Sequence, residues 1–416
     1  MRADKINNYL YFSYVPEYAS AKWLSSDILG KNDIDYTYSI EESAEKFNQV
    51  FDSILEKGQW GNHIVPLSGG YDSRAILGAL LKRVNKKRIK TFSFGAPGQL
   101  DFEIGKKVAR KAGVSHVAIN LEKVEITWDK IKTSVKESPW TYVPDGFFNK
   151  MSQELVSEEG DCVWSGFLGG NLAGSHMFDS DFEKEDIFKK FILKQKRSKS
   201  ILHNENNHLS SWTKLPKVDG VCFDDFLDLY IRQSNCIAPI VTPLKRWDNW
   251  GCWGGVNRAG AQVVLPFADL TWASYCLFMP REKKQNQKMY LDTLHYLFPD
   301  LFSLPGKESL GVSNKYVRKL KKKYKKITKS IYIKAPWLGI NYVAGNNYLD
   351  FDKMFRKRKD YKQVLKYAFN YLEKNKITPW LNFEKMEEEH MNYEMDHGGD
   401  FLILIGLAAN LEASNE

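Results

Sequence analysis

Ile64-Val65-Pro66-Leu67-Ser68-Gly69-Gly70-Tyr71-Asp72-Ser73 decides how this chain is read. An apolar run ends there in two glycines, and a helical pattern of Ile76, Leu77, Leu80 and Leu81 begins directly after it. The order predicts a strand, a tight turn and a helix start. Such a junction aims unpaired backbone N–H groups and the positive end of a helix dipole at one point, which suits a phosphate. Gly69 and Gly70 permit close backbone approach, Ser68 and Ser73 add hydroxyl donors, and Asp72 supplies a hard oxygen for Mg²⁺. No lysine follows the glycines, so the loop differs from the G-x-x-x-x-G-K-[ST] loop of kinases and GTPases. The plain alternative is a Gly-Ser turn that only joins a strand to a helix.

The residues downstream repeat the alternation. Ile89 to Phe94 reads as a second strand. Asp101 is expected to cap a helix carrying Ile104, Val108, Ala109 and Ala112, Gly113 to stop it, and His116 to Ile119 to form a third strand. A β-α-β-α-β order implies an α/β fold with a parallel sheet covered by helices. Ligands are then expected at the carboxyl ends of the strands.

The hexapeptide Ser68–Ser73 resembles the S-G-G-x-D-S pyrophosphate loop of ATP pyrophosphatases of the asparagine synthetase type, which split ATP between its α and β phosphates. Thr91-Phe92-Ser93-Phe94-Gly95, Pro97-Gly98, Asp101, Val108-Ala109, Gly113 and His116 are similar to the same family's nucleotide half. The resemblance implies a Rossmann-like ATP pyrophosphatase core with a mostly helical C-terminal part. It implies nucleotide contacts from Leu67, Ser68, Gly69, Gly70, Asp72 and Ser73, and an adenine site lined by Phe94 and Gly95. A second loop, Cys162-Val163-Trp164-Ser165-Gly166-Phe167-Leu168-Gly169-Gly170-Asn171, resembles the family's S-G-E-G-x-D-E segment, so Ser165 and Gly166 are expected at the nucleotide. The match fails at the acids, where Phe167, Gly170 and Asn171 stand. Either Mg²⁺ is held by Asp72, phosphates and water, or the site is impaired.

Gly260 to Asp269 resembles the family's G-V-E-A-R-V-P-F-L-D, with Pro266-Phe267 readable as core packing and Asp269 as a helix cap or a site residue. Pro305-Gly306-Lys307-Glu308 resembles the family's Lys-Glu, in which the lysine lies near the reacting phosphate. The resemblance thus makes Lys307 and Glu308, with Asp72, the candidate catalytic residues; the alternative for Lys307 is an ordinary surface lysine. The tail, Gly398-Gly399-Asp400 before Leu402, Leu404, Leu407 and Leu411, is closer to glycan-associated and peptide-modifying relatives than to true asparagine synthetases. Glutamine-using relatives begin with a nucleophilic cysteine at position two, whereas this chain reads Met1-Arg2-Ala3-Asp4. Residues 1–40 are therefore expected to be an arm left from an absent glutaminase domain. Nitrogen is expected from ammonia, a separate glutaminase or a substrate amine.

With 416 residues and 43% hydrophobic content the chain can bury two cores. The expected division is a nucleotide-binding core over 41–205 and a mostly helical part over 206–416, because Lys194 to Asn207 is polar and lacks apolar periodicity. No stretch has the apolar length of a transmembrane helix, and residues 1–9 lack a signal-peptide core. Cysteines at 162, 222, 236, 252 and 276 are odd in number and lack C-x-x-C spacing, which argues against a disulfide framework and for a reducing, cytoplasmic setting. Nine cations between Lys315 and Lys329 equal the whole formal excess of +9. Tyr316, Leu320, Tyr324 and Ile327 recur among them at helical spacing, predicting a helix over 315–329 with one buried stripe and a basic face. That face is either simply solvated or a peripheral contact for something anionic: a membrane surface, an acidic polymer or nucleic acid.

Three functions fit these observations. The first is an ATP-dependent carboxylate–amine ligase that works through an acyl adenylate, releases AMP and pyrophosphate, and acts on a small-molecule, peptide or glycan carboxylate. The second is a tRNA-modifying ATP pyrophosphatase. The third is a non-catalytic binding protein on the same fold, motivated by Phe167 and Gly170. The Gly260–Asp269 match and the absence of paired cysteines favour the ligase, with ATP and Mg²⁺ as its cofactors.

Overall fold

The computed structural model describes residues 3–14, 36–137, 139–140, 143–178, 184–195, 202, 253–335, 338 and 349–415. Its centre is a six-stranded sheet built from β1 (His63–Pro66), β2 (Ile89–Gly95), β3 (Ser115–Asn120), β4 (Cys162–Trp164), β5 (Trp253–Val256) and β6 (Gln262–Val264). The spatial order is β3-β2-β1-β4-β6-β5. The first five in that order are parallel, and β5 runs antiparallel along the edge of β6.

The expected βαβ units are present, with the strand ends shifted by a residue or so. Ile64, Val65, Cys162, Val163 and Trp164 have no exposed surface, as strands covered on both faces require. β3 closes the opposite edge and leaves Val117 half exposed. Its His116 ring lies 2.9 Å from Thr91 Oγ1 and 3.0 Å from Ser93 Oγ, and burial pushes the imidazole down to about 4. The helix Leu100–Ala112 ends at a left-handed Gly113, but its N-cap is Gln99. Asp101 lies inside the first turn and does not cap it, which leaves its carboxylate for the partners described below.

The helix Ile40–Lys57, which precedes the sheet, starts at a Ser39 cap that accepts from Glu42 N–H, while Glu42 accepts from Tyr38 N–H. Its Phe47, Val50, Phe51 and Ile54 pack on the sheet. This first core takes residues from Ala44 to Phe302, so β6 and the helices through Phe302 complete the layer around β1. A second core is built around the helix Gly398–Asn415, which is buried from Phe401 to Leu411. It gathers Ile131 and Val135, residues of the helices Phe351–Lys357 and Lys359–Lys374, and Tyr9 and Leu10 of the N-terminal helix Ala3–Phe12. The boundary expected at 205–206 and Cys222, Cys236 and Cys252 lie outside the described residues.

One expectation is overturned. The basic segment is a helix, Lys315–Lys334, but its apolar stripe is not buried: Tyr316 is 81%, Leu320 65%, Tyr324 68% and Ile327 49% exposed. Helical spacing sets which side chains share a face; whether a neighbour covers that face is decided by packing elsewhere in the chain.

Candidate active site

The chain runs outward from β1 to β2 and β3, then returns to place β4 on the other side of β1. A crevice opens where the order reverses, at the carboxyl ends of β1 and β4. Residues 67–71 form one wall and Ser165 to Gly170 the other.

The first wall is held by its own side chains. Leu67 N–H donates to Phe92 C=O, tying the exit of β1 to β2. Ser73 Oγ accepts from Ser68 N–H at 3.2 Å, and Ser68 Oγ accepts from Gly70 N–H at 3.1 Å. The helix Asp72–Leu81 then starts without a side-chain cap, so its first N–H groups face the crevice. Gly69 N–H donates to Asp101 Oδ1 at 2.7 Å. Lys307 Nζ lies 2.8 Å from that same oxygen, across more than 200 residues of sequence. The lysine stem lies against Gly69: a Cβ there would sit 2.7 Å from Lys307 Cγ and 3.0 Å from Ile104 Cδ1. Only a residue without a side chain lets the loop and the lysine approach this closely.

Arg74 fixes the segment that delivers Lys307. Its guanidinium is fully buried, donates to Leu304 C=O at 2.7 Å and faces the Phe302 ring. Three residues later a single 3₁₀ turn, Lys307–Ser309, carries the lysine over the loop. Glu308 belongs to this turn; its side chain is outside the described residues.

Asp72 sits at the bottom of the crevice. Tyr290 Oη donates to Asp72 Oδ1 at 2.9 Å, and the Gly170 N–H also points to the carboxylate. The second wall closes on it with glycines, since a Cβ on Gly169 would lie 2.6 Å from Asp72 Cγ and one on Gly166 3.1 Å from Asp72 Cβ. Burial raises the carboxyl to about 6, against the lowering pull of Tyr290, the Gly170 amide, Lys307 and His176. Tyr290 is pushed well above the usual phenol range by its own burial and by the charge beside it.

Where the family pattern would put an acid stands Gly170, on which a Cβ would lie 3.2 Å from Gln287 Nε2, 3.4 Å from Ser175 Oγ and 3.5 Å from Asp72 Oδ2. Phe167 is half-buried against the core around the sheet. Among the described residues no three His, Cys, Asp or Glu side chains come together as a metal would require. One carboxylate with both walls close about it fits Mg²⁺ that shares its coordination with nucleotide phosphates and water, not an ion caged by protein alone.

The remaining expectations sort by position. Ser165 N–H donates to Val264 C=O, and Ser165 Oγ accepts from Phe167 N–H, so Ser165 and Gly166 shape the second wall. Phe94 and Gly95 end β2, beside the first wall. Asp269 caps the helix Leu270–Leu277 by accepting from Thr271 N–H. Sequence reasoning missed Tyr290 and the pairing role of Asp101. Tyr290 sits in an ordinary amphipathic helix, Lys288–Leu297, and nothing local distinguishes it from the other core aromatics.

A family model described as asparagine synthase matches residues 64–302, more than half of the chain. The chain belongs to that family. The match begins at β1 and ends at the segment gripped by Arg74; Lys307, the basic helix and most of the second core lie beyond it.

Proposed function

We propose that this member of the asparagine synthase family is an ATP-dependent amide ligase that works through an acyl adenylate. A substrate carboxylate oxygen bonds to the α phosphorus as the bond from that phosphorus to the bridging oxygen breaks, and pyrophosphate leaves. Ammonia or an amine then attacks the acyl carbon, the acyl–oxygen bond to AMP breaks, and the nitrogen loses a proton to solvent.

The observation that carries this reading is the convergence at Gly69 of a backbone N–H, an uncapped helix start and the Lys307 ammonium. Three sources of positive potential meet at the mouth of the crevice, where the departing pyrophosphate would rest. Asp101 accepts from two of those donors. Its carboxylate orients Lys307 until phosphate oxygens compete for it. Ser68, Gly70 and Ser73 extend the cradle, Phe94 and Gly95 offer the adenine wall, and Ser165 and Gly166 bound the far side. Asp72 is the residue that would hold Mg²⁺ together with phosphate oxygens, where the ion would neutralise phosphate charge.

Exchange of labelled pyrophosphate into ATP, run with a panel of carboxylates, tests the proposal. Carboxylate-dependent exchange with AMP as product is expected. ADP as the main product would overturn the mechanism. ATP binding without exchange under any carboxylate would favour the non-catalytic reading, for which Phe167 and Gly170, standing in acid positions of the family pattern, speak.

A further inference from the structure

The helix Lys315–Lys334 carries ten cations and no acidic residue. Its start is fixed: Asn314 caps it by accepting from Tyr316 and Val317 N–H. At 100° per residue, Tyr316, Val317, Leu320, Tyr324, Ile327 and Ile331 fall within an arc of roughly 100°, and the cations of the first four turns occupy the rest of the circumference. Five of those six side chains are between 42% and 81% exposed. Scattered apolar residues on a surface are ordinary; a continuous apolar stripe three turns long, bordered on both sides by lysine, is not.

We propose that this helix lies on an anionic lipid surface, its apolar arc at the boundary between headgroups and acyl chains and its lysines among the lipid phosphates. The charge pattern selects this occupant. A second copy of the chain would bring twenty like charges together along the two stripes. A nucleic acid would use the cations and leave Leu320, Tyr324 and Ile327 in water. A lipid surface satisfies both faces at once, and tyrosine suits that depth because its ring is apolar and its hydroxyl polar. Among the described residues no helix is long and apolar enough to cross a membrane, so the helix rests on the surface instead of spanning it.

The N-terminal turns are tied to the crevice. Arg318 donates to Val312 C=O and Lys321 to Leu310 C=O, both at 3.4 Å, in the segment that directly follows the Lys307 turn. Six residues lie between Lys307 and Asn314, at most about 25 Å of extended chain from one to the other. The mouth of the crevice is thereby kept near the lipid, which favours an amphiphilic carboxylate as substrate; that corollary rests on the ligase reading, while the binding itself does not.

Sedimentation of the full chain with vesicles tests the proposal independently of turnover. Vesicles of phosphatidylcholine alone should carry down little protein, and vesicles with about one third phosphatidylglycerol should carry down most of it. Exchanging Lys321, Lys322 and Lys323 for Gln should weaken vesicle affinity about 100-fold, at roughly fivefold per cation lost near the surface. Leu320→Ser with Tyr324→Ser and Ile327→Ser should weaken it at least 10-fold with every charge kept, and should leave binding to heparin unchanged. Failure of wild-type protein to sediment with the anionic vesicles overturns the proposal. So does a serine variant that binds vesicles as well as wild type, or tighter binding to heparin than to vesicles.

Discussion

The crevice and the basic helix are both rich in positive charge, and they use it in opposite ways. In the crevice one ammonium, Lys307, is held to a single oxygen of Asp101 with its stem pressed on Gly69. Along the helix ten cations stand with no acid among them, most on flexible exposed stems. A charge fixed by packing acts at one point and is little affected by salt; a row of exposed charges acts collectively and is screened within about 10 Å at ordinary ionic strength. Position and preorganisation, more than the count of lysines, separate a candidate reaction site from a candidate contact surface.

The sharpest test of that contrast is Asp72→Asn, which should lower turnover roughly 10²- to 10³-fold by removing the charged oxygen at the bottom of the crevice. The same change should stabilise the fold. The Asp72 carboxyl is raised to about 6 by burial. A folded value above the unfolded one means that the native state binds the proton more tightly, so this group's contribution to stability falls as pH rises from about 4 to 6 and is then constant. At neutral pH the cost is up to about 3 kcal/mol, which the neutral amide removes. Thermal unfolding and pyrophosphate release, measured together, check both halves. A variant that is less stable and fully active would show that the crevice is not a site.

Lys307→Ala comes next, with a fall in kcat of roughly 10² and a smaller change in KM. Replacing Lys321, Lys322 and Lys323 with Gln should leave kcat on a small soluble carboxylate unaltered. If the triple change abolished turnover while Lys307→Ala did nothing, the two regions would have to exchange roles.

Gly69→Ala should cost about 10-fold in kcat, because its Cβ displaces the lysine stem without removing the charge. A crystal structure of the variant should show Lys307 shifted off Asp101. Smallest near neutrality is the effect of pH: kcat/KM should be nearly flat above pH 7 and fall about tenfold per unit once the pH drops below about 6, as Asp72 takes up its proton. That limb should be absent from the residual activity of Asp72→Asn.

Much of the architecture was legible along the chain. The apolar run of β1, the glycines and the helix after Asp72 form a local pattern, and so do β2, the helix ending at Gly113 and β3. Such elements follow from side-chain periodicity and turn chemistry within a few residues. The loop's residue types also marked a helix start without a side-chain cap, because that is a local property.

What the tertiary structure decided involves residues far apart in sequence. That β4 returns beside β1, and so opens the crevice, depends on how strands pack and not on their composition. Tyr290 reaches Asp72 across 218 residues, from a helix whose pattern shows only an amphipathic face. Asp101 read as a cap because an acid at a helix start usually is one; the approach of Lys307 and Gly69 gave it other partners. For the basic helix, spacing determined which residues form the stripe. Only the fold decided that, among the described residues, no packed neighbour covers most of it, since periodicity records a face and burial requires a second surface to meet it.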